Sequence, residues 1–244
     1  MPSERKVHIL DEKDIPSQVC AFVADKSRHA IESRGQFNVG VSGGSVAKIL
    51  STGMPGLENI DWTKWKVFFC DERLVPFDHE DSTYKFFKKN MFNKVNIPSE
   101  NIFPIDPSLS VEDAAKDYAK KVDKVPKENN LPVFDLLILG MGPDGHTCSL
   151  FPGHKLLQET EVAVAPISDS PKPPPCRVTL SFPVINATRC AMFVSTGAGK
   201  ADILQKVLEG NDSAPLPAAR VKPTNGELHW FLDTAAAAGL KAKY

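Results

Sequence analysis

Asp144 and His146, two residues apart in Gly140-Met141-Gly142-Pro143-Asp144-Gly145-His146, form the pair in this 244-residue chain best suited to move a proton. Histidine's unperturbed pKa lies nearest neutrality, which makes it the usual proton carrier at pH 7. The pair follows an apolar run, Leu136 to Leu139, that reads as a buried strand, and three glycines let the chain turn sharply after it. An α/β protein places its chemistry on such a turn, at the carboxyl end of a strand.

Three other polar clusters follow predicted strands in the same way. Ser42-Gly43-Gly44-Ser45 joins a strand to a helix. Its exposed N–H groups at a helix N-terminus suit a phosphate, and an ordinary turn with Ser45 as N-cap is the plain alternative. Asp71-Glu72-Arg73 follows Val67-Phe68-Phe69 and offers a carboxylate for a hydroxyl or histidine and an arginine for an oxyanion, or simply a solvated loop. Thr196-Gly197-Ala198-Gly199-Lys200 adds a lysine to a similar glycine turn, which suits a single phosphate, with a solvated surface lysine as the plain alternative. It is not a nucleotide P-loop, because Val194 and Ala201 stand where that motif needs Gly and Ser or Thr. Gly140 to Gly145 matches G-x-G-x-x-G, but Asp144 would face a pyrophosphate and Pro152 comes too soon for a long following helix. His8, His29, His79, His154 and His229 have no such motif around them and read as surface or packing residues.

The elements that must position these clusters alternate along the chain. Strands are predicted at Val7–Leu10, Phe37–Val41, Lys66–Cys70, Leu136–Leu139, Val178–Leu180, Met192–Ser195 and Leu228–Leu232. Helices are predicted at Ile15–Ser33, from about Val46, at Val111–Val125, near Lys200, and in the alanine-rich segment from Thr234. This alternation implies an α/β fold: a mostly parallel sheet with helices on both faces, in a single domain over residues 1–244. Ser170-Pro171-Lys172-Pro173-Pro174-Pro175 reads as a rigid loop leading into Arg177.

A net charge of −1 gives no electrostatic reason to expect nucleic acid or an anionic membrane. No apolar run approaches the roughly 20 residues that span a bilayer. Met1 to Leu10 lacks the apolar region of a secretory signal. Cys20, Cys70, Cys148, Cys176 and Cys190 are odd in number and form no Cys-x-x-Cys, so reduced thiols in the cytoplasm are expected.

Taken together, Val41 to Ser45, Cys70 to Pro76, Gly140 to Pro152, Pro166 to Pro175, Arg177 to Thr179 and Gly199 to Ala201 closely resemble the 6-phosphogluconolactonase family over nearly the whole length, in its stand-alone animal form. The resemblance implies a Rossmann-like α/β sandwich of the glucosamine-6-phosphate deaminase/isomerase type. It also implies hydrolysis of 6-phosphoglucono-1,5-lactone in the oxidative pentose phosphate pathway, without metal or organic cofactor. By the same resemblance His146 is the proton-transfer residue with Asp144 and Asp71 as acidic neighbours. Ser42, Gly43, Gly44, Arg73, Arg177 and Lys200 surround the phosphate and sugar acid. The expected partner is a small sugar phosphate, and the expected assembly a monomer or weak homodimer. Deaminases of this fold carry a glutamate five residues after the histidine, where this chain has Phe151, which sets that activity below the lactonase. A non-catalytic sugar-phosphate sensor is the alternative outside enzymes, but sensing needs no Asp144–His146 pair.

Overall fold

The computed structural model describes residues 5–244; the first four residues of the Met1–Leu10 segment lie outside it. In chain order the named strands and α-helices are β1 (Arg5–Leu10), α1 (Ile15–Arg34), β2 (Phe37–Val41), α2 (Ser45–Gly53), β3 (Trp65–Phe69), β4 (Asp71–Arg73), α3 (Thr83–Asn90) and α4 (Val111–Val122). They continue with β5 (Lys127–Glu128), β6 (Leu131–Pro132), β7 (Leu136–Gly140), β8 (Val164–Ile167), β9 (Arg177–Leu180), α5 (Phe182–Ala187), β10 (Cys190–Ser195), α6 (Ala201–Glu209) and β11 (Glu227–Asp233).

Six strands form one parallel sheet in the order β1-β11-β10-β7-β2-β3. Its inner strands are apolar on both faces because helices cover both: every residue of β2 and β10, and Leu136 to Leu139 of β7, is buried. Right-handed crossovers put α1 and α2, which pack together, on one face and α4 and α6 on the other. Tyr118 of α4 is fully buried and fixes that helix to β3, donating to the Phe69 carbonyl (2.9 Å) and accepting from its N–H (2.6 Å). α1 ends at Gly35, whose φ of 77° lets its N–H close on the Ile31 carbonyl.

A second, antiparallel sheet, β4-β9-β8, lies beside the first, and one contiguous set of buried apolar side chains serves both. This revises two expectations. Asp71-Glu72-Arg73 is a strand and not a solvated loop, and the strand containing Val178–Leu180 belongs to this small sheet and not to the parallel one. The alanine-rich segment after Thr234 forms only a short 3-10 turn, Ala236–Gly239, which ends as Gly239 is reached. The helices α3 and α5, the strand β8 and the β5–β6 hairpin are not among the predicted elements, although Ser82, which accepts the Lys85 N–H, is an N-cap signal for α3.

Strand alternation in β4 decides what faces the site. Asp71 and Arg73 share one face, while Glu72 points the other way and is almost fully buried. Its carboxyl accepts the N–H groups of Arg73 (2.8 Å), Thr83 (3.0 Å) and Tyr84 (2.8 Å), so one side chain ties β4 to the first turn of α3. Burial pushes that carboxyl up to about 7, against the pull of the three amides. Glu72→Ala should therefore strand buried donors and lower the unfolding free energy by about 2–4 kcal/mol. Denaturant titration checks this, and a loss below about 1 kcal/mol would show that Glu72 does not hold β4 in place.

Candidate active site

Neighbouring strands β2 and β7 send the chain in opposite directions: from β2 it proceeds outward to β3, and from β7 inward to β10. Side chains and loops therefore part at their carboxyl ends, where open parallel sheets bind ligands. A cavity of about 210 Å³ lies there, bounded by Ser42 to Ser45 after β2, Asp71 and Arg73 of β4, Gly140 to Gly142 and His146 after β7, Cys148, and Arg177 of β9. Seven of the nine expected site residues thus meet in one cavity. Asp144 and Lys200 stand just behind its wall.

The turn after β7 is closed by Gly142 N–H on the His146 carbonyl (2.9 Å) and Gly145 N–H on the Gly142 carbonyl (3.0 Å), with Gly145 at φ 79°. His146 folds back so tightly that a Cβ on Gly142 would sit 2.0 Å from its ring. That fold-back brings Nδ1 within 2.5 Å of Asp144 Oδ1. An ionised carboxylate only accepts, so Nδ1 carries the proton and Nε2, unbonded among the described residues, keeps its lone pair. Burial lowers the pKa of His146, and Lys172 lowers it further, against the opposing pull of Asp144 and Asp71. The ring is therefore neutral at pH 7. Asp144 is partly buried, which alone would raise its carboxyl. Its bonds from His146 and Lys172 instead hold it at about 2.

Lys172 was not among the expected site residues. Its ammonium lies 3.1 Å from Asp144 Oδ1 and 3.2 Å from His146 Nδ1. The signal was present, since Lys172 is the one charged residue in the proline run before Arg177. Phe151, fully buried, lies against the imidazole with ring centroids 4.7 Å apart. Asp71 faces the cavity but accepts from Ser149 Oγ (2.7 Å) and does not bond the imidazole.

On the β2 side of the cavity, α2 starts at Ser45 with Gly44 as its cap residue, at φ 71° and ψ −139°, and no side chain caps it. Ser45 is thus not the N-cap. The first-turn N–H groups lack a side-chain cap, and the buried Ser42 hydroxyl beside them has no partner. Arg73 stands directly opposite Arg177 in the β4–β9 ladder. Like charges at such a position repel unless an anion lies between them. Lys200 donates to the Met141 carbonyl at 2.6 Å, which draws it to the wall of the site. The glycine turn leading to it is not an open anion site: Asp233 already accepts the Gly197 N–H at 2.9 Å.

Cys148 lines the cavity too, but the neighbouring Cys70 thiol and burial push its thiol well above the usual range and keep it protonated, which disqualifies it as a nucleophile. Among the described residues no three His, Cys, Asp or Glu side chains gather at metal-holding distance, and no helix is long and apolar enough to cross a membrane. His154 and His79 are engaged locally, with Asp169 and the Asp81 N–H.

Residues 10–230 match the family model described as glucosamine-6-phosphate isomerases/6-phosphogluconolactonase. A 6-phosphogluconolactonase of Rattus norvegicus is 51% identical over 230 residues, covering 92% of this chain and 89% of the rat protein. The solved 6-phosphogluconolactonase of Trypanosoma brucei superposes with a TM-score of 0.86 at 26% identity, covering 98% of this chain and 100% of that one. A monomeric glucosamine-6-phosphate deaminase superposes with a TM-score of 0.80 at 19% identity, covering 96% and 100%, which is a likeness of fold alone.

The geometry makes Gly142 a test of the turn. In Gly142→Ala the added methyl must displace the imidazole, so the Nδ1–H resonance of His146 seen by NMR in the parent should shift or vanish while circular dichroism is unchanged. An unaltered resonance would mean that the imidazole is not seated on Gly142.

Proposed function

The chain belongs to the glucosamine-6-phosphate isomerase/6-phosphogluconolactonase family, and from that premise we propose that it hydrolyses 6-phospho-D-glucono-1,5-lactone to 6-phospho-D-gluconate with His146 as the general base. The observation that carries this reading is a neutral imidazole, oriented by Asp144, in the same cavity as an anion site made by Arg73, Arg177 and the uncapped start of α2.

The phosphate lies against Arg73, the free edge of Arg177 and the N–H groups after Ser42, with Lys200 near the other rim. Held there, the ring places its C1 carbonyl beside His146, so binding energy from the phosphate is spent on orientation. Nε2 takes a proton from a water as that water attacks C1, and Asp144 stabilises the imidazolium that forms. The tetrahedral intermediate collapses with cleavage of the C1–O5 bond, and the imidazolium returns its proton to O5. A δ-lactone is an activated ester, so no covalent nucleophile is required. Phe151 stands where ring opening by a deaminase would need an acid, and its burial against the imidazole supports the lactonase reading. A cytoplasmic place for the reaction accords with five cysteines that are all free thiols.

His146→Asn should lower kcat by about 10²–10⁴, after subtraction of spontaneous hydrolysis, while 6-phosphogluconate still binds in calorimetry. Retention of most of the activity would reduce His146 to a brace of the turn. The pH profile of wild type has a definite sign. Only the neutral ring accepts a proton, and burial shifts ring protonation to a lower pH than that of a free imidazole, so kcat/KM should fall on acidification with a midpoint below pH 6.5. A midpoint above 6.5 would contradict this. Glucosamine 6-phosphate should release no ammonia in a coupled assay, and deamination at a rate comparable to lactone hydrolysis would overturn the assignment.

A further inference from the structure

Between Ser170 and Arg177 the chain runs through four prolines, which supply carbonyl oxygens but no N–H donors. Those acceptors must be satisfied from elsewhere. Arg177, 3% exposed, does so with three bonds: Nε to the Pro174 carbonyl (3.1 Å), and Nη2 to the carbonyls of Lys172 (2.9 Å) and Pro173 (3.0 Å). Ser170 adds its hydroxyl to the Lys172 carbonyl (2.8 Å). The consequence is that the backbone of Lys172 is fixed on both sides, and its ammonium donates to Asp144 Oδ1, the same oxygen that accepts the His146 Nδ1–H, and so lies beside the ring. The same guanidinium lies 5.7 Å from the centroid of the Phe151 ring that packs on the imidazole. One buried arginine thus touches both the charged and the apolar neighbour of the base.

We propose that Lys172 is a positioning residue of this site, its ammonium holding the Asp144 carboxylate on the Nδ1 side of His146, and that Arg177 holds Lys172 there through the carbonyls of residues 172–174. The inference rests on His146 being the base, and it gives Arg177 a task that is separate from binding an anion. Lys172 shares Asp144 with the imidazole, which leaves the carboxylate ionised and oriented yet less able to draw a proton onto the ring. The base then stays free in mild acid. The other charged groups facing the imidazole are Asp71 across the cavity, Arg73 and Arg177 on its β4–β9 wall, and Lys200 at the Met141 carbonyl. Phe151 contributes an uncharged face.

The test is the pH dependence of background-corrected kcat/KM for wild type, Lys172→Met, Lys172→Arg, Arg177→Ala and the Lys172→Met/Arg177→Ala double variant. With Lys172→Met the acidic limb should move to higher pH, so that the loss at pH 5 exceeds the loss at pH 8 by roughly threefold to tenfold, a range reduced because Lys172 is partly exposed. Lys172→Arg, which keeps the charge, should recover most of the shift. Arg177→Ala should move the limb in the same direction in wild type, and by clearly less in the Lys172→Met background, where only its own charge is lost. An unmoved limb in Lys172→Met, or shifts that add in full in the double variant, would overturn the proposal. NMR titration of His146 in folded Lys172→Met gives the same readout without turnover, so failure of the lactonase reading would be told apart from failure of this one. If Arg177→Ala does not fold, Arg177→Lys, which cannot make the three-bond fork, takes its place in the same cycle.

Discussion

The boundary between β2 and β7 is the constraint from which the site follows. These strands are neighbours in the parallel sheet, yet the chain leaves them toward opposite edges, so no connection covers their carboxyl ends. The loop after β2 can present a helix start with no side-chain cap, and the loop after β7 can fold an imidazole back onto its own glycine turn. Neither loop supplies the guanidinium groups. Those come from the small antiparallel sheet, which stands against the gap and whose alternation aims Asp71, Arg73 and Arg177 at it while burying Glu72 behind.

Electrostatics and burial act in opposite senses on the two halves of the Asp144–His146 pair. Asp144 stays ionised because donors crowd one of its oxygens, and His146 stays neutral because Phe151 and the surrounding wall remove water from it. A bare Asp–His contact would favour the imidazolium. Burial and the shared Lys172 offset that tendency, which leaves an imidazole that is both oriented and unprotonated. The wall made by β4, β9 and the start of α2 is the reverse, with opposed arginines and an unpartnered buried serine, chemistry that suits a negatively charged group.

Much of this was legible in the sequence. The buried strand Leu136–Gly140 is an apolar run ended by glycine, Phe37–Val41 is a mostly apolar run that leads into Ser42-Gly43-Gly44, and the polar clusters after them are short and chemically distinct. What was not legible depended on pairing across long sequence separations. Nothing local in Asp71-Glu72-Arg73 announces a strand, because its partner, Arg177–Leu180, lies about a hundred residues away. Lys172 could be seen as a lone charge among prolines, but its meeting with Asp144 requires Arg177 to anchor the loop. Thr196 to Lys200 looked like a second open phosphate turn, and the buried carboxylate of Asp233, which fills it, sits on a different strand.

The central claim is that the substrate lies with its reacting carbon at His146 and its phosphate among the arginines. A crystal structure with 6-phosphogluconate bound tests this most directly. The account predicts the C1 carboxylate within hydrogen-bond distance of His146 Nε2, the phosphate between Arg73 and Arg177 beside the start of α2, and Lys172 still on Asp144. A product bound in the reverse sense, with its phosphate on His146, would contradict it.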